Sequence, residues 1–347
     1  MNKSLSDATG GQDDRGLDHA LRPLSFGEFV GQPSVRSNLE VYIQAARLRK
    51  EPLDHILLSG LPGLGKTTLA EIIAREMGGE LHTTSGPVLE RPGDLAGILT
   101  NLKRGDILFV DEIHRLPIAV EEYLYSAMED FCIDIMLDQG PRARSVRLDV
   151  ERFTLVGATT REGLLSPPFR ARFGVLERLE PYPAADLMTI AHRSSRLLGV
   201  TLAPEAAKIL AENARGTPRI VNRFLRRMRD LAQVTGVANI NEALAKKGLI
   251  MVGVDETGLL KVDRAILETI ALASGQPVGL RTLAITVGED DRTVEDVYEP
   301  HLIRSGFLLK TARGRMLTHR GYAVLGRKAP EIVAEQNGLF SDEESRP

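Results

Sequence analysis

The stretch that most constrains the fold is a glycine-rich sequence between a predicted strand and a predicted helix. GLPGLGKTT (60–68) follows the short apolar run HILLSG (55–60) and precedes KTTLAEIIAREM, whose apolar residues recur at helical spacing. Glycines allow the backbone to turn several amide groups toward one anion, and the start of the helix adds partial positive charge. Strand, loop and helix together predict a P-loop, which binds nucleotide phosphates in an α/β domain.

A second predicted strand supplies the carboxylates that a hydrolytic site requires. In the P-loop, Lys66 is predicted to reach the β- and γ-phosphates, and the Thr67 hydroxyl to take a Mg²⁺ position. The strand GDILFVDEIHRL (105–116) ends in Asp111, which suits the metal side, and Glu112, which suits a base that orients water. A site that only binds nucleotide has no need of Glu112, so the pair favours hydrolysis.

Two later segments can complete such a site. RFTLVGATT (152–160) ends in Thr159, where a hydroxyl can sense the γ-phosphate, although threonine is also common in strands for conformational reasons. In LSPPFRARFG (165–174) the prolines are predicted to end any helix and to leave Arg170 and Arg172 on an irregular segment. An arginine held there can reach the γ-phosphate of a neighbouring subunit.

The composition sets limits on partners and on the cellular compartment. A length of 347 residues predicts two or three domains, and a net charge of −3 means that contact with nucleic acid must come from local basic patches. The single cysteine, Cys132, excludes an internal disulfide and a multi-cysteine metal site, and it fits a reducing compartment. We find no signal-peptide pattern and no apolar run near ~20 residues, so we expect a cytoplasmic protein without a membrane span.

The pattern of predicted elements divides the chain into three domains. Strands alternate with helices over 18–182, which predicts a parallel sheet covered on both faces, with the nucleotide at the carboxyl ends of its strands. Residues 183–255 have a helical pattern, and 256–337 form a third part. We expect residues 1–17 and the acidic tail 338–347 to be disordered.

An arginine-rich run lies in the helical middle part. Six arginines and no acid fall between residues 215 and 229. Such a run is more typical of a solvated or subunit-facing helix surface than of a DNA site. Arg219 is the exception, because its position at a helix start points toward the nucleotide.

The last part of the chain has the pattern of a winged helix. Three predicted helices precede two strand-like runs around a turn, and residues 300–330 hold seven lysines or arginines and no acid. This local excess predicts phosphate contacts by Lys310, Arg313 and Arg315 on the wing and by Arg292 at the head of the third helix. A solvated hairpin without a ligand is the open alternative.

Residues 131–153 predict a β-hairpin inserted between the second and third strands of the site. Apolar residues alternate on either side of a break at Gly140-Pro141. Such a hairpin either packs on its own domain or presents an apolar edge to a partner.

The motifs in their order and spacing resemble those of the AAA+ ATPases: GLPGLGKTT, DEIHRL, GATTR, SPPFRARFG and GTPRIVNR. With LRPLSFGEFVGQ (21–32) and GFLLKTARGRMLTHRGY (306–322), the chain from about 18 to 337 resembles the RuvB family more narrowly. The resemblance implies an AAA+ P-loop domain with a parallel sheet, a small helical lid domain and a winged-helix DNA-binding domain. It also implies ATP and Mg²⁺ as cofactors and a homo-hexameric ring that drives branch migration of Holliday junctions in recombination and repair.

The same resemblance implies partners and residue roles. The partners are double-stranded DNA at four-way junctions, a RuvA-type protein bound through the 131–153 hairpin, and a RuvC-type resolvase. Thr159 resembles the first sensor, Arg219 the second, and Arg172, which directly precedes Phe-Gly, resembles an arginine finger acting in trans. The other residues implied at the nucleotide are Leu21, Arg22, Gly63, Gly65, Lys66, Thr67, Thr68, Asp111, Glu112, Glu129, Asp130, Phe131 and Tyr182.

Another class of function fits many of the same motifs. An AAA+ initiator or loader with a winged helix would use ATP as a switch with slow turnover, so hydrolysis that DNA does not affect would favour it. A protein unfoldase is less favoured, because no substrate-binding domain is evident and the basic C-terminal part suits DNA.

Overall fold

The structure, a computed structural model, describes residues 19–136 and 145–330, which form two compact units. The sheet unit comprises residues 19–136, 145–197 and 216–222, and the helical unit comprises residues 198–215 and 223–330. The expected disordered termini and the expected turn at Gly140-Pro141 lie outside the described residues. Within those residues, we find no helix with both the length and the apolar character needed to cross a membrane.

The sheet unit combines a parallel sheet with helices and a hairpin. Its strands are β1 (Ile56–Ser59), β2 (Leu81–Ser85), β3 (Ile107–Asp111), β4 (Cys132–Met136), β5 (Ser145–Asp149), β6 (Thr154–Thr159) and β7 (Val175–Arg178). Its helices are α1 (Pro33–Arg49), α2 (Lys66–Met77), α3 (Pro92–Leu99), α4 (Ile118–Glu129), α5 (Pro167–Arg170) and α6 (Ala184–Leu197). Five of the strands pair in parallel in the order β2-β3-β6-β1-β7, as the alternation of strands and helices predicted.

Both faces of the sheet are buried. Leu57, Leu108 and Leu155 pack with side chains of α3 and α4 in one core cluster. Successive residues of a strand point to opposite faces, and the alternate residues Phe109 and Val156 are at most 1% exposed. Burial on both faces explains why the central strands are apolar runs without alternation, and it fixes the sheet as a rigid base for the loops at its edges.

The predicted hairpin is confirmed for its two strands. β4 and β5 pair in antiparallel register, with Ile133 opposite Leu148. Ile133 and Val150 are buried in the same core cluster as the sheet, whereas Val146 is 38% exposed. The base of the hairpin therefore packs on its own domain, and its outer part leaves apolar surface uncovered.

One local prediction was wrong. The prolines of 165–174 were expected to leave an irregular segment, but Pro167–Arg170 forms the short helix α5. Proline lacks a backbone N–H group, but the N–H groups of the first helical turn have no partner within the helix in any case. Proline can therefore begin a helix as well as end one. The Ser166 side chain caps this turn by accepting a hydrogen bond from the Phe169 amide at 3.4 Å.

The helical unit carries the elements of a winged helix at its C-terminal side. Its helices are α7 (Pro204–Asn213), α8 (Pro218–Thr235, whose first residues belong to the sheet unit), α9 (Glu242–Met251), α10 (Lys261–Leu272), α11 (Leu280–Val287), α12 (Asp291–Thr293), α13 (Glu299–Arg304) and α14 (His319–Val324). Its strands are β8 (Thr201–Leu202), β9 (Asn239–Ile240), β10 (Leu308–Thr311) and β11 (Gly314–Leu317). The short parallel β8–β9 pair is absent from the sequence prediction, which was helical throughout this part.

The predicted third helix of the winged helix is one helical run with a wider turn inside it. α12 and α13 are joined by a π-helical segment, Val294–Tyr298. The ribbon that follows pairs Lys310 with Arg315 and Thr311 with Gly314. At Gly314 φ is 144°, and a Cβ there would lie 2.5 Å from the Val278 carbonyl oxygen, so the wing turns where glycine is required.

The structure corrects the expected environment of Arg315. This side chain is not an exposed wing cation, because it is 9% exposed and its Nε donates to Glu299 Oε1 at 2.6 Å. Its backbone also exchanges hydrogen bonds with Val278 at 2.8 and 2.9 Å. The ion pair with the buried Glu299 of α13 explains the difference, because charge counting along the sequence does not report such a partner. Arg315 therefore joins the wing to α13.

We predict that Arg315→Ala destabilises the protein, because Glu299 would become a buried carboxylate without its main partner. The expected loss of unfolding free energy is about 3 kcal/mol or more, measured by chemical denaturation of the purified protein. Arg313→Ala, at an exposed position two residues away, is the matched control and should change stability by less than about 0.5 kcal/mol. Equal stabilities for the two variants would contradict this assignment.

Candidate functional site

Three strand ends meet at the carboxyl edge of the sheet. β3, β6 and β1 are neighbours, and Ser59 at the end of β1 is in register with Thr159 at the end of β6. The chain leaves β1 with the Gly60 amide donating to the Thr159 carbonyl oxygen at 3.1 Å. The glycine-rich loop, Asp111 and Thr159 are thus brought to one edge, as the order of motifs predicted.

The glycine-rich loop has a backbone that only glycine readily adopts. Gly60, Gly63 and Gly65 have φ of 139°, 79° and 103°, all in the left-handed half of conformational space. A Cβ on Gly60 would lie 2.6 Å from the Leu179 carbonyl oxygen, and one on Gly63 would lie 2.9 Å from Arg219 Cβ. The loop is therefore a cradle that side chains would fill, which fits the approach of a phosphate chain to the backbone.

The start of α2 offers unpaired amides beside that cradle. The first intrahelical bond runs from the Leu69 amide to the Gly65 carbonyl oxygen, so the amides of residues 66–68 have no partner within the helix. Thr67 is half-buried and Thr68 is buried in this first turn. The donor set and the helix dipole both favour an anion here.

Lys66 is buried, and its ammonium group donates hydrogen bonds to carbonyl oxygens of the glycine-rich loop. Its Nζ donates to the Gly60 and Leu61 carbonyl oxygens at 2.8 and 2.9 Å. Burial lowers the pKa of Lys66 to about 8, and the nearby Asp111 carboxylate opposes that shift. Lys66 is therefore mostly charged at pH 7 and loses its proton at more alkaline pH, where a negatively charged ligand would restore the charge.

The two acids at the end of β3, Asp111 and Glu112, have different surroundings. The Glu112 amide donates to Asp111 Oδ1 at 2.9 Å, and Glu112 adopts φ of 47°, which is unusual for a residue with a side chain. Its carboxylate accepts from Arg115 Nη1 at 2.8 Å in a half-exposed ion pair. A Cβ on Gly86 would lie 2.4 Å from the Glu112 carbonyl oxygen, so Gly86 lets the segment after β2 pack directly under this turn. No pattern in the sequence pointed to Gly86.

The Thr159 hydroxyl is held in place from two sides. His114 Nδ1 and Thr159 Oγ1 are 2.9 Å apart, and the Arg161 amide donates to the same oxygen at 3.0 Å. His114 follows Glu112 by two residues, so this contact joins the turn after β3 to the end of β6. No pattern in the sequence pointed to this contact between His114 and Thr159.

The N-terminal segment is fixed by a residue that sequence reasoning missed. Arg193 of α6 donates to the Leu21 carbonyl oxygen at 2.7 Å and to Glu28 at 2.7 Å. Leu21 is 4% exposed, and Arg22 forms an ion pair with Glu71 of α2. The segment that carries Leu21 and Arg22 is thereby tied to the helix that begins at the P-loop. No pattern within the sequence links positions 172 residues apart.

Tyr182, which follows β7, and Arg219, at the start of α8, also approach the loop. The buried Tyr182 hydroxyl donates to the Leu64 carbonyl oxygen at 3.2 Å, and burial raises its pKa, so it remains a donor. The Tyr182 amide donates to the Gly216 carbonyl oxygen at 2.9 Å. Arg219 follows three residues later, with an exposed side chain that begins against Gly63. Both residues are therefore placed beside the cradle.

Arg172 lies at the opposite, amino edge of the sheet. Three residues after it, the Val175 amide at the start of β7 donates to the His55 carbonyl oxygen at 3.1 Å, just before β1 begins. The His55 ring also joins the Leu155 amide and the Met128 carbonyl oxygen, at 2.9 and 3.2 Å. Because β1 has four residues, about 13 Å of strand separates this edge from the P-loop.

Glu129, Asp130 and Phe131 share that amino edge with Arg172. Arg172 Nη2 lies 2.7 Å from Glu129 Oε2, and its guanidinium stacks 4.4 Å from the centre of the Tyr125 ring. Glu129 and Asp130 are exposed, and Phe131 packs 6.5 Å from the His55 ring. These sequence-predicted pocket residues are brought together with each other, but within one chain they are not brought to the P-loop.

The candidate DNA contacts lie in the helical unit and differ in availability. Arg292 at the start of the third helical run and Arg313 at the wing tip are exposed. Lys310 is also exposed, and its Nζ lies 2.7 Å from Glu295 Oε1. Arg315 is buried, as described above. The wing therefore presents Arg313 rather than Arg315 to solvent.

This geometry defines a P-loop nucleoside-triphosphatase of the AAA+ class with an appended winged helix. Family models match the chain as "Holliday junction DNA helicase RuvB P-loop domain" over residues 21–179, "RuvB AAA lid domain" over 182–255 and "RuvB C-terminal winged helix domain" over 256–326. The chain belongs to the RuvB family.

Individual relatives support the same assignment. The Holliday junction branch migration complex subunit RuvB of Myxococcus xanthus is 57% identical over 325 residues, which cover 93% of this chain and 94% of that protein. The protein of the same name from Salinibacter ruber is 52% identical over 347 residues, covering 99% and 100%. A solved structure, the Thermotoga maritima RuvB Holliday junction branch migration motor, is 47% identical with a TM-score of 0.82, covering 90% of this chain and all of that one.

The low pKa of Lys66 predicts that nucleotide binding takes up a proton at alkaline pH. At pH 9 the free protein holds this amine mostly neutral, and bound phosphates would raise its pKa, so uptake should approach about one proton per site. At pH 7 the amine is already charged, and its contribution should vanish. Calorimetric titration with ATP in buffers of different ionisation enthalpy measures the uptake.

Lys66→Arg is the control for that measurement, because a guanidinium stays charged throughout this pH range. The variant should bind nucleotide without the proton uptake seen at pH 9. Uptake that persists in Lys66→Arg would assign the proton to another group.

Proposed function

We propose that this chain is an ATP-driven motor for branch migration of four-way DNA junctions, in which neighbouring subunits of a ring share each ATP site. The observation that carries the proposal is the separation of the P-loop and Arg172 on opposite edges of one sheet. A finger that cannot reach its own P-loop is suited to the P-loop of the next subunit. The names of the relatives, which describe a subunit of a branch migration complex, support the substrate.

The residues around the cradle have distinct roles in this proposal. ATP with Mg²⁺ would supply the phosphoanhydride bond whose hydrolysis drives movement. The phosphates are held by the backbone amides of the P-loop, by Lys66 and by the turn that contains Thr67 and Thr68. Gly63 and Gly65 allow the phosphates to approach the backbone closely. Thr67 and Asp111 hold the metal ion, and Leu21, Arg22 and Tyr182 enclose the remainder of the nucleotide.

The catalytic roles fall to residues that are already held in position. Glu112 orients the attacking water once its carboxylate leaves Arg115, and Thr159, positioned by His114, contacts the γ-phosphate. Arg219 reaches the nucleotide as a second sensor from the start of α8. Arg172 comes from the adjacent subunit, together with Glu129, Asp130 and Phe131 on the same edge.

The winged helix is the proposed DNA-binding part. Arg313 and Arg292 contact backbone phosphates, with Lys310 beside them, and Arg315 supports the wing from within. Contacts to phosphate without base reading suit a motor that must travel over any sequence. A location in the cytoplasm, with access to chromosomal DNA, is part of the proposal.

The assembly is proposed from the family resemblance and from two surfaces of the chain. A homo-hexameric ring would close the ATP sites between subunits. A RuvA-type protein would dock on the 131–153 hairpin, whose strand β5 exposes the apolar Val146. A RuvC-type resolvase would act on the same junction. We retain the division into domains at 18–182, 183–255 and 256–337, which the matched family regions support.

A mixing experiment tests the shared site. Lys66→Ala and Arg172→Ala should each lower junction-stimulated ATP hydrolysis and branch migration by about 100-fold or more. An equal mixture should regain part of the activity, because about a quarter of the interfaces in a randomly mixed ring would combine an intact Lys66 with an intact Arg172. Steady-state hydrolysis and migration of a synthetic four-way junction are the measurements.

Arg170→Ala is the matched control, because Arg170 lies two residues from Arg172 and pairs only loosely with Glu162, at 3.5 Å. It should retain activity and should not need a partner variant. Failure of the mixture to regain activity would refute a site completed in trans. Hydrolysis by the unmodified protein that DNA leaves unchanged would favour the nucleotide-switched initiator or loader instead.

A second experiment tests the DNA surface. Arg313→Ala should weaken duplex binding about equally for unrelated sequences and reduce the slope of log affinity against log salt by about one. Arg320, a nearby basic residue whose guanidinium packs 5.4 Å from the Phe307 ring, is the control position. Fluorescence anisotropy over a salt series gives both slopes. A loss confined to one sequence, or an equal loss in Arg320→Ala, would contradict phosphate contact by the wing tip.

A further inference from the structure

The chain passes between the two compact units at three places within the described residues, and one of them is the peptide bond between Arg215 and Gly216. Arg215 is the last residue of a segment in the helical unit, and Gly216 begins a segment of the sheet unit. Both residues have left-handed backbone conformations, with φ of 55° and 74°. This conformation is unusual for arginine, so tertiary contacts must hold it.

On the sheet side, Gly216 is fixed near the nucleotide cradle. Its carbonyl oxygen accepts from the Tyr182 amide at 2.9 Å, and a Cβ on it would lie 2.9 Å from Pro181 Cβ. Tyr182 in turn bonds the P-loop at Leu64. Since Arg219 is three residues further on, a change in the cradle has a short covalent path to Gly216.

On the helical side, Arg215 forms polar contacts with two helices of the winged helix. Its guanidinium pairs with Asp263 of α10, which has no exposed surface. Its carbonyl oxygen accepts from Arg304 Nη2 of α13 at 2.5 Å. We call Arg215, Asp263 and Arg304 the Arg215 cluster.

The Arg215 cluster is poorly explained as a device for stability alone. A buried ion pair contributes less to stability than apolar packing of the same volume, because both charges lose their water. Asp263 Oδ1 is buried without a hydrogen-bond partner among the described residues, and two guanidinium groups converge on this site. Burial and the charges of Arg215 and Arg304 lower the pKa of His301 to about 3, so this neighbour stays neutral.

The same short helix connects the cluster to the wing. α13 ends at Arg304, which holds Arg215, and begins at Glu299, which holds Arg315 of β11. Arg215 is therefore connected to the wing strand β11 through the six-residue helix α13, with one charge-assisted contact at each end of that helix.

We propose that the Arg215 cluster is the coupling element between the ATP site and the DNA-binding surface. Its members are positioning residues, which hold α10 and α13 to the peptide that leads into Arg219. A shift of Gly216–Arg219 with nucleotide state is passed through Arg215 to α13 and the wing. This inference rests on the proposed function, because it requires that nucleotide and DNA act on one machine.

The test measures coupling rather than activity. Binding of an unhydrolysed ATP analogue should change the affinity of the unmodified protein for duplex DNA, typically by about 5- to 150-fold, and DNA should change analogue affinity by the same factor. In Arg304→Gln and Asp263→Asn, this factor should fall toward one. Affinity for DNA without nucleotide and affinity for the analogue without DNA should each stay within about twofold of the unmodified values. ATP consumed per junction migrated should rise.

Arg264→Gln is the matched control, because Arg264 is adjacent to Asp263 on α10 and forms a partly exposed ion pair with Asp255 at 2.6 Å. It should keep the full coupling factor. An unchanged factor in Arg304→Gln would overturn the proposal, and so would an equal loss of DNA affinity with and without the analogue, which indicates a structural role only. If Asp263→Asn does not fold, Arg304→Gln decides the test.

The outcomes also separate this inference from the proposed function. If the unmodified protein couples nucleotide to DNA binding but does not move junctions, the proposed function fails while the Arg215 cluster is still tested by the coupling factor. If it moves junctions and Arg304→Gln does so with unchanged coupling, only the Arg215 cluster is rejected. Light scattering at the working concentrations confirms that the compared proteins are in the same oligomeric state.

Discussion

The parallel direction of β3, β6 and β1 is the constraint on which the rest of the structure depends. Parallel strands place all their carboxyl ends at one edge of a sheet and all their amino ends at the other. Asp111 and Thr159 are the last residues of their strands and therefore meet the P-loop, whereas Arg172 precedes β7 and lies at the far edge. The separation comes from chain topology and not from a side-chain rotamer. This topology supports the proposal of a site completed by a second copy.

In the helical unit, Arg215 and Arg315 are buried and pair with carboxylates. Arg315 and Arg215 each pair with a carboxylate that is at most 2% exposed, and both pairs are attached to helices of the winged helix. Pairs of this kind fix geometry more than they add stability. On the proposed function, the exposed Arg313 carries the electrostatic attraction to phosphate. Buried and exposed cations thus divide two tasks within one basic segment.

The parts of the structure that depend on local pattern were predictable, and those that depend on long-range contacts were not. The P-loop, the strand ending in Asp111, the hairpin strands and the winged helix follow from spacing and residue type. Arg193 and Gly86 act through partners far away in the sequence, which no periodicity reports. Arg315 was misjudged because charge density says nothing about which side of a twisted ribbon a residue faces. The helix at Pro167 was missed because proline occurs both in the first turn of a helix and just after its last turn, and the sequence alone does not distinguish the two cases.

The pairing of Arg172 with Glu129 has a consequence for a subunit on its own. In one chain this guanidinium is neutralised by its own acid and covered by Tyr125, while Glu112 is bound to Arg115. On the proposed function, these contacts keep a newly synthesised subunit from hydrolysing ATP until a neighbouring subunit displaces the internal partners. The contacts that limit ATP hydrolysis by unassembled subunits are therefore the same contacts that assembly has to replace with contacts between subunits.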